Sequence, residues 1–240
     1  ISACLVGSEM CIRDRHWTET CIGDGILHIA NSTLRMELPG ARIGEYADAQ
    51  IDDYGQLARS AFPWKPPLRM EVRARSSLPA ASKFDSVESA NILRGTAGFG
   101  FWNYPLSVRG DVLMLPEAIW FFYASPPSNM ALVHDIPGWG WKAQVVHSMR
   151  LEGLPAIIPL GITAAWARLS GETRPAHYWM QKLTGAQEAL LPVEMDSWHT
   201  YVLEWRQTVA RFWVDDQLVL NAPQPPTRPL GFVAWLDNQY

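Results

Sequence analysis

Several features that would assign a function directly are missing from these 240 residues. No run of about 18 apolar residues occurs, so no transmembrane segment is expected. The formal net charge is -4, and no basic stretch indicates a nucleic-acid partner or a polybasic membrane-binding surface. The dinucleotide-binding glycine pattern, the phosphate-binding loop, zinc-ligand spacing and the nucleophile elbow are also absent. Function must therefore be inferred from the strand pattern and from the positions of aromatic and acidic residues.

Cysteine is scarce, and its three copies are confined to the first 21 residues, at Cys4, Cys11 and Cys21. Such a cluster can indicate a disulfide or a metal site. However, Leu5–Asp14, with the sequence LVGSEMCIRD, resembles the translation of a sequencing adapter read in frame, an error found in metagenomic assemblies. We therefore exclude residues 1–15 from the fold, as fusion scars are excluded. We expect one native domain over residues 16–240, with the natural N-terminus missing and the C-terminus truncated after Leu236–Tyr240.

The clearest secondary-structure pattern covers Trp198–Asn221, read WHTYVLEWRQTVARFWVDDQLVLN. It alternates with period two and is rich in the aromatic and β-branched residues that suit a pleated sheet. It predicts three strands, Trp198–Trp205, Val209–Val214 and Gln217–Leu220. Asp215–Asp216 is expected to form a tight turn between the second and third strands. The pattern therefore predicts an antiparallel meander.

The meander also carries a family resemblance. The W-H-T-Y-x-x-E-W strand that begins at Trp198, followed by R-F-W-V-D-x-Q-L-V from Arg211, resembles the late strands of the concanavalin A-like lectin/glucanase superfamily. Its nearest members are family-16 glycoside hydrolases such as laminarinases, and a weaker similarity extends from about Tyr46 onward. The resemblance implies an all-β, antiparallel, two-sheet jelly roll whose concave sheet holds a glycan. It implies the fold more strongly than the activity.

The catalytic motif of that family is incomplete in this chain. Family-16 enzymes carry E-x-D-x-x-E on one strand, and retaining hydrolysis needs two carboxyl groups about 5–5.5 Å apart. The corresponding segment, Leu115–Ala124, reads LPEAIWFFYA and offers only Glu117, with Tyr123 on the same strand face as a substrate-binding candidate. An enzyme would need a second acid from elsewhere in the chain. The candidates for that acid are Asp52, Asp135 and Asp237.

A strand predicted over Gly95–Pro105 supplies two further candidates for glycan binding. Trp102 and Asn103 lie at its end, where the resemblance places the floor of the glycan cleft. Glycines alternate along this strand at Gly98 and Gly100. They leave either a trough for a flat ligand or room for a neighbouring backbone or aromatic ring.

Four more residues complete the substrate-binding candidates. Trp139 and Trp141 lie in a glycine-rich loop, where they are expected either to stack on sugar rings or to pack beneath the loop. Asp53 follows a predicted strand, and Asn238 ends another beside Asp237. Such polar clusters suit sugar hydroxyls, although a solvated strand end has the same composition.

Residues 153–192 interrupt the β pattern. Pro159 and Pro175 suit the first turns of two short helices, and Gly171 and Gly185 suit their ends. The apolar faces of these helices must be buried against something. A cap over one end of the sandwich, a lid on the cleft, a partner-binding surface and contact with a membrane interface are the alternatives.

The sequence therefore predicts a single jelly roll with a helical insertion that binds an oligosaccharide or polysaccharide without hydrolysing it. One rival is hydrolysis by Glu117 with a nearby aspartate; the other is a structural or partner-binding domain that uses the insertion. Burial of Glu117 under apolar residues would favour the binding module. A second carboxyl oxygen within about 6 Å of Glu117 in an open groove would favour the enzyme. No cofactor is expected, while the resemblance allows a structural calcium ion and an extracellular location.

Overall fold

The structure of the protein is a computed structural model. It describes residues 2–5, 17–30, 32–40, 42, 44–55, 57–80, 92–104, 115–128, 131–148 and 181–239.

Within these residues, fourteen strands form two antiparallel sheets of seven strands each. In chain order they are β1 Ser2–Leu5, β2 Thr18–Ile22, β3 Ile26–Ala30, β4 Thr33–Glu37, β5 Asp48–Asp52, β6 Leu68–Arg75, β7 Thr96–Trp102, β8 Glu117–Ala124, β9 Gly140–His147, β10 Gln187–Leu190, β11 His199–Trp205, β12 Val209–Val214, β13 Gln217–Pro223 and β14 Gly231–Asp237. The first sheet has the order β13-β12-β11-β6-β1-β4-β3, and the second has the order β10-β9-β8-β7-β14-β5-β2. The predicted all-β, two-sheet jelly-roll fold is confirmed. In the part of the chain described, no helix is both long and apolar enough to cross a membrane.

The predicted meander is present as β11, β12 and β13. Each strand pairs antiparallel with the next, with Trp205 opposite Ala210 at the turn end of the first pair. Asp215 and Asp216 have φ values of 47° and 66°, the left-handed conformations that a two-residue hairpin turn requires. The Asp215 carboxylate also accepts a hydrogen bond from the backbone N–H of Thr200 at 2.8 Å, which ties the turn to the first strand. Local sequence therefore determines this part of the fold.

The core lies between the two sheets, because alternate side chains of each strand point inward. Phe121 of the second sheet contacts Tyr201 and Phe212 of the first, with ring centroids 5.1 and 5.2 Å apart. Phe101 and Trp205 make a similar contact at 5.8 Å. Burying each such ring contributes about 1.5–3 kcal/mol, so these inter-sheet contacts are the main force that holds the layers together.

The C-terminal part of the predicted helical insertion, which was expected over residues 153–192, contains a strand in the structure. Residues 181–184 are helical, and Gly185 follows with a φ of 56°, as a helix end favours. Gln187–Leu190 then forms β10, which pairs with β9, so this stretch belongs to the sheet. The four-residue strand was hidden because its length is too short for a period-two signal. Residues 149–180, which hold most of the predicted insertion, lie outside the described residues.

The N-terminal strand β1 lies between β4 and β6 in the first sheet. Its backbone pairs antiparallel with both neighbours. This pairing does not test the origin of residues 1–15, so their exclusion as an adapter translation stays a prediction, and residues 6–16 lie outside the described part.

Candidate functional site

The outer face of the second sheet carries a cluster of aromatic rings. Alternate residues of β7, β8 and β14 point away from the core and bring these rings together, with two more from the segments that follow β5 and β7. We call this cluster the aromatic platform; it consists of Tyr54, Trp102, Tyr104, Trp120, Phe122 and Trp235. Trp102, Tyr104 and Trp120 are half-buried, and the other three are buried. The platform therefore has both a packed base and partly accessible rings.

Trp120 lies at the centre of the platform. Its ring centroid is 5.9 Å from that of Trp102, 5.1 Å from that of Trp235 and 5.7 Å from that of Phe122. The planes of Trp120 and Trp102 are inclined by 35°, and those of Trp120 and Phe122 by 20°. These separations are typical of favourable aromatic pairs, so the rings form one continuous surface.

The two glycines of β7 make room for this surface. A Cβ atom at Gly98 would lie 2.6 Å from Cη2 of Trp235, and one at Gly100 would lie 2.5 Å from Cβ of Trp120. The strand therefore has no empty trough, because the ring of Trp235 fills the space at Gly98, and the backbone and Cβ of Trp120 fill it at Gly100. Of the interpretations that the sequence left open, close packing of an aromatic ring describes Gly98, and close packing of a neighbouring backbone describes Gly100.

We expect Gly100→Ala to destabilise the protein by about 1–3 kcal/mol. The added methyl group would also lie 2.5 Å from Cα of Trp120, and the φ of 151° at Gly100 disfavours side chains. Gly44→Ala is the control, since Gly44 has a φ of 87° but open space around its Cβ position. Urea denaturation of both variants separates strain from contact. Equal loss in the two variants would contradict the contact explanation.

A buried polar network borders the platform on β9 and β10. The Nε1–H of Trp120 donates to Oε1 of Gln144, and Nε2 of Gln144 donates to Oε1 of Glu188. Nζ of Lys142 lies 3.2 Å from Oε2 of Glu188, and both of these charged side chains have 0% exposure. Burial lowers the pKa of Lys142, although the charge of Glu188 opposes that shift. The network therefore holds the indole N–H of Trp120, and with it the orientation of the ring.

The second half-buried tryptophan is held in a similar way. Nε1 of Trp102 donates to the hydroxyl of Tyr54 at 2.6 Å, and burial raises the pKa of that hydroxyl. Both indole N–H groups are therefore engaged by the protein. The surface that these two rings can still offer to a ligand is their apolar face.

Glu117, the candidate for catalysis, lies away from this face. Its side chain follows the inward parity of Ile119 and Phe121, and the residue is 1% exposed. Its Oε1 lies 3.2 Å from Nε2 of His147 as a charge contact, and no donor among the described residues makes a hydrogen bond of good geometry to either carboxyl oxygen. A general acid must reach the substrate, so Glu117 in this position lacks the access that hydrolysis would need. This burial was the criterion that favours a binding module.

The two acids at the end of β5 are bound by local hydrogen bonds. Asp52 accepts the backbone N–H groups of Tyr54 and Gly55 at 3.1 and 2.6 Å, and burial raises its pKa while these bonds lower it. Asp53 accepts the indole N–H of Trp64 at 2.6 Å and a backbone N–H of β14 at 2.8 Å. Both carboxylates thus shape the turn after β5.

The two asparagine candidates also hold backbone segments in place. Asn103 is 3% exposed; it donates to the carbonyl of Leu115 at 2.9 Å and accepts the N–H of Glu117 at 3.1 Å. Asn238 accepts the N–H of Ala47 at 2.9 Å and donates to the carbonyl oxygens of residues 42 and 45 at 3.3 and 2.7 Å. Their side-chain amides are occupied by the protein itself.

Two of the predicted aromatic candidates are core residues. Tyr123 has 0% exposure and donates its hydroxyl to the carbonyl of Leu93 at 2.7 Å. Trp141 is 4% exposed, and its indole N–H donates to the hydroxyl of Tyr201 at 3.2 Å. Both residues occupy inward-facing positions of their strands. Trp141 is therefore packed in the core, which was one of its two predicted alternatives.

Trp102 and Trp139 are both half-buried but are not brought together. Trp102 pairs with Ala118 at one end of β8, whereas Trp139 precedes the β9 residue that pairs with Ala124 at the other end. Six residues of strand separate these ends, about 20 Å. Asp135, in the loop before Trp139, has an 84% exposed side chain and pairs with His134 at 2.6 Å. The predicted group of three tryptophans is therefore split.

Asp237 lies opposite another acid, Asp48, which the sequence did not single out. The two residues are directly paired between β14 and β5, and they are 9% and 5% exposed. Asp237 accepts hydrogen bonds from the N–H and hydroxyl of Thr96 and from the N–H of Gln239. Burial, followed by the charge of Asp237, raises the pKa of Asp48 to about 7. Burial also raises the pKa of Asp237.

Sequence reasoning missed the polar border of the platform. Lys142 and Gln144 alternate along β9, so the spacing of these two residues carried a sequence signal for their shared face. Their partner Glu188 lay inside the predicted helical insertion, and no local signal placed it beside them. Among the described residues, no group of three or more His, Cys, Asp or Glu side chains is placed to hold a metal ion.

No protein-family model matches the chain, and no curated protein matches it significantly. Solved structures similar to this one include the beta-glucanase of Bacillus licheniformis, with 12% identity over 81% of this chain and 63% of that chain, at a TM-score of 0.37. They also include a laminarinase from Flavobacterium sp. UMI-01, with 12% identity over 81% of this chain and 67% of that chain, at a TM-score of 0.36. The carbohydrate-binding module CBM66 of Bacillus subtilis has 9% identity over 94% of this chain and 93% of that chain, at a TM-score of 0.36. This chain thus spans less than two thirds of the length of the glucanase.

Proposed function

We propose that the chain is a non-catalytic carbohydrate-binding module whose aromatic platform stacks on sugar rings. The observation that carries the proposal is the pair of half-buried indole rings of Trp102 and Trp120, 5.9 Å apart and inclined by 35°. The ligand class comes from the resemblance of the Trp198–Asn221 strands to the lectin/glucanase superfamily. The platform supplies the apolar surface that such a ligand needs.

The fixed orientation of the two rings supports binding by stacking. The N–H of Trp102 is engaged by Tyr54, and the N–H of Trp120 is engaged by Gln144. A ring that is already oriented loses little further conformational freedom when a ligand binds, so more of the contact energy is available for affinity. The C–H face of a sugar ring is a suitable partner for such an apolar surface.

Binding is preferred to hydrolysis because Glu117 and the two acids at the end of β5 are engaged within the protein. Glu117 is buried beside His147 on the inward side of β8, while Asp52 and Asp53 hold the turn after β5. Retaining hydrolysis needs two accessible carboxyl groups about 5–5.5 Å apart. The platform itself presents rings at the outward positions of β8.

We expect Trp120→Ala and Trp102→Ala each to lower the affinity for the β-glucan or galactan oligosaccharide that the wild type binds. The expected loss is about tenfold, which corresponds to about 1.4 kcal/mol of binding free energy. Isothermal titration with a panel of both polysaccharide classes measures the affinity, and reducing-end release is assayed in parallel. Trp213→Ala is the matched control, because Trp213 is half-buried like the two platform tryptophans and lies on β12 in the first sheet. Thermal unfolding of each variant shows that the fold is retained, and Trp120→Phe provides a milder second substitution.

Two outcomes would contradict the proposal. If both platform variants bind as tightly as the wild type, the platform is not the glycan site. If the wild type releases reducing ends and Glu117→Gln abolishes the release, the chain is a hydrolase that uses Glu117.

A further inference from the structure

A large cavity opens at one end of the sandwich, away from the platform tryptophans Trp102 and Trp120. Its volume is about 1260 Å³, and it is lined by the ends of β4, β6 and β14 and by the segment before β7. Buried aliphatic side chains, including Leu93 and Leu236, form part of its lining. We call it the end cavity. Its volume exceeds the roughly 300–1,000 Å³ of typical small-molecule sites, so it can hold more than a single sugar unit.

The end cavity concentrates positive charge on an acidic chain. Its four basic residues are Arg35, Arg42, Arg75 and Arg94, and its two acidic residues are Glu37 and Glu45. One of these charges is neutralised locally, since Nε of Arg35 lies 2.7 Å from Oε1 of Glu37. The formal charge of the whole chain is -4. The excess of positive charge along the cavity is therefore local, since the chain as a whole carries a net negative charge.

Two of the guanidinium groups have no carboxylate partner within the described part of the chain. Arg75 lies over the ring of Trp198, 5.3 Å from its centroid, in a cation–π contact and not in an ion pair. Arg42 forms no ion pair there, and its position is set through its backbone. A guanidinium offers a fork of donors that matches the oxygens of a carboxylate or sulfate group. These two arginines are the natural contacts for an oxyanion.

Hydrogen bonds hold the walls of the end cavity in place. The side chain of Asn238 bonds to the backbone at residues 42, 45 and 47, and so fixes the loop that carries Arg42. On the opposite wall, the N–H of Leu93 donates to the carbonyl of Pro79 at 3.0 Å, and the N–H of Ser76 donates to the carbonyl of Met195 at 2.7 Å. A cavity formed in advance lets a ligand bind without first ordering these segments.

An exposed aromatic ring stands at the same opening. Tyr46 lines the end cavity and is 46% exposed, so its ring is accessible to a ligand in the cavity. We propose that the end cavity binds an anionic glycan, with Arg42 and Arg75 contacting a carboxylate or sulfate group and Tyr46 stacking on the sugar that bears it. The sugar part of this inference rests on the proposed carbohydrate binding, whereas the site and its charge are independent of the platform.

The test compares four ligands by isothermal titration with the full chain. They are an oligogalacturonate, a sulfated galactan oligosaccharide, a neutral β-glucan oligosaccharide and polyglutamate, a polyanion without sugar. We expect Arg42→Gln combined with Arg75→Gln to weaken binding of the carboxylated or the sulfated glycan at least about tenfold, which also identifies the oxyanion. Neutral glycan binding should be unchanged. Arg211→Gln is the control. Arg211 lies on β12, outside the cavity, and bonds to Asn221, so this substitution removes a positive charge that is not part of the proposed site.

The remaining outcomes either overturn the inference or separate it from the proposed function of the platform. Unchanged binding of both acidic glycans by the double variant would place their site elsewhere, and equally tight binding of polyglutamate would show that charge alone acts. Tyr46→Ala should weaken the acidic glycan with less effect on polyglutamate, and equal effects on both would remove the sugar from the proposal. Loss of neutral glycan binding in Trp120→Ala with retained acidic binding distinguishes the two sites. If the wild type binds no acidic glycan, the proposal for the end cavity is rejected, while the proposed function of the platform is unaffected.

Discussion

Glu188→Ala is expected to lower the free energy of unfolding by about 3–5 kcal/mol, because it leaves a buried ammonium group without its partner. The side chains of Glu188 and Lys142 both have 0% exposure, and their charged atoms are 3.2 Å apart. Burial already lowers the pKa of Lys142 in the presence of Glu188. Without the carboxylate, the lysine must lose its proton or remain charged in an apolar site. Urea denaturation at pH 7 measures the loss.

A surface ion pair supplies the control for this prediction. Nη2 of Arg69 lies 2.6 Å from Oε2 of Glu71, but the arginine side chain is 54% exposed. Glu71→Ala should therefore cost only about 0–1 kcal/mol. A loss in Glu188→Ala no greater than in Glu71→Ala would show that Lys142 is not buried as the structure has it.

Replacing both charges separates the stability of the network from its effect on the platform. Lys142→Met combined with Glu188→Leu should recover most of the lost stability, because well-packed apolar residues often replace a buried ion pair without cost. Gln144 would still lack the acceptor that orients its amide, and through it the indole N–H of Trp120. Glycan affinity should therefore stay below that of the wild type. Full recovery of affinity would mean that the network does not position Trp120.

The fold was readable from the sequence where strands are long and turns are specific. Val209–Val214 was predicted from its alternation and has those bounds as β12, and the Asp215–Asp216 turn was predicted from its residue types. In both cases the local conformation and the burial pattern agree, so short-range information is sufficient. β10 failed this condition, because four residues carry too few alternations to be distinguished from a loop.

The candidate site was less readable, because it depends on which strands are neighbours. Parity along β8 placed Glu117 and Trp120 on opposite faces, but it did not show which of the two faces is the core. The glycine neighbours of Trp141 predicted a loop, in which its indole was expected either to stack on a sugar or to pack beneath the loop. In the structure Trp141 is part of β9, and its side chain points inward. Gln144 and Glu188 become partners only through pairing of β9 with β10. Contacts across strands of high sequence separation leave no local signal.

The unusual acid Asp48 is expected to make the protein less stable as pH rises. Its pKa is raised to about 7, above the value of 3.8 for an unperturbed aspartate, because it is buried and faces the charge of Asp237. Between these two values the folded state binds more protons than the unfolded state, so the free energy of unfolding falls with increasing pH. The full loss from pH 4 to above pH 7 is on the order of 4 kcal/mol.

Asp48→Asn should remove this dependence, because asparagine keeps the shape of the side chain and carries no charge. The measurement is the difference in unfolding free energy between the variant and the wild type, taken by urea denaturation at pH 5 and pH 8. We expect the variant to gain stability relative to the wild type at pH 8, by about 2–4 kcal/mol more than at pH 5. Using the difference cancels the titration of histidines and other shared groups.

Asp215→Asn is the matched control for the sign of the effect. The pKa of Asp215 is lowered, because the N–H of Thr200 and the ring of His199 bond to the carboxylate and outweigh its slight desolvation. Its contribution to stability is present above pH 3.8 and is lost below it, so this variant should keep the falling stability of the wild type between pH 4 and 7. A wild type whose stability is flat or rises over that interval, with no difference in Asp48→Asn, would show that Asp48 is solvated and does not share a buried site with Asp237.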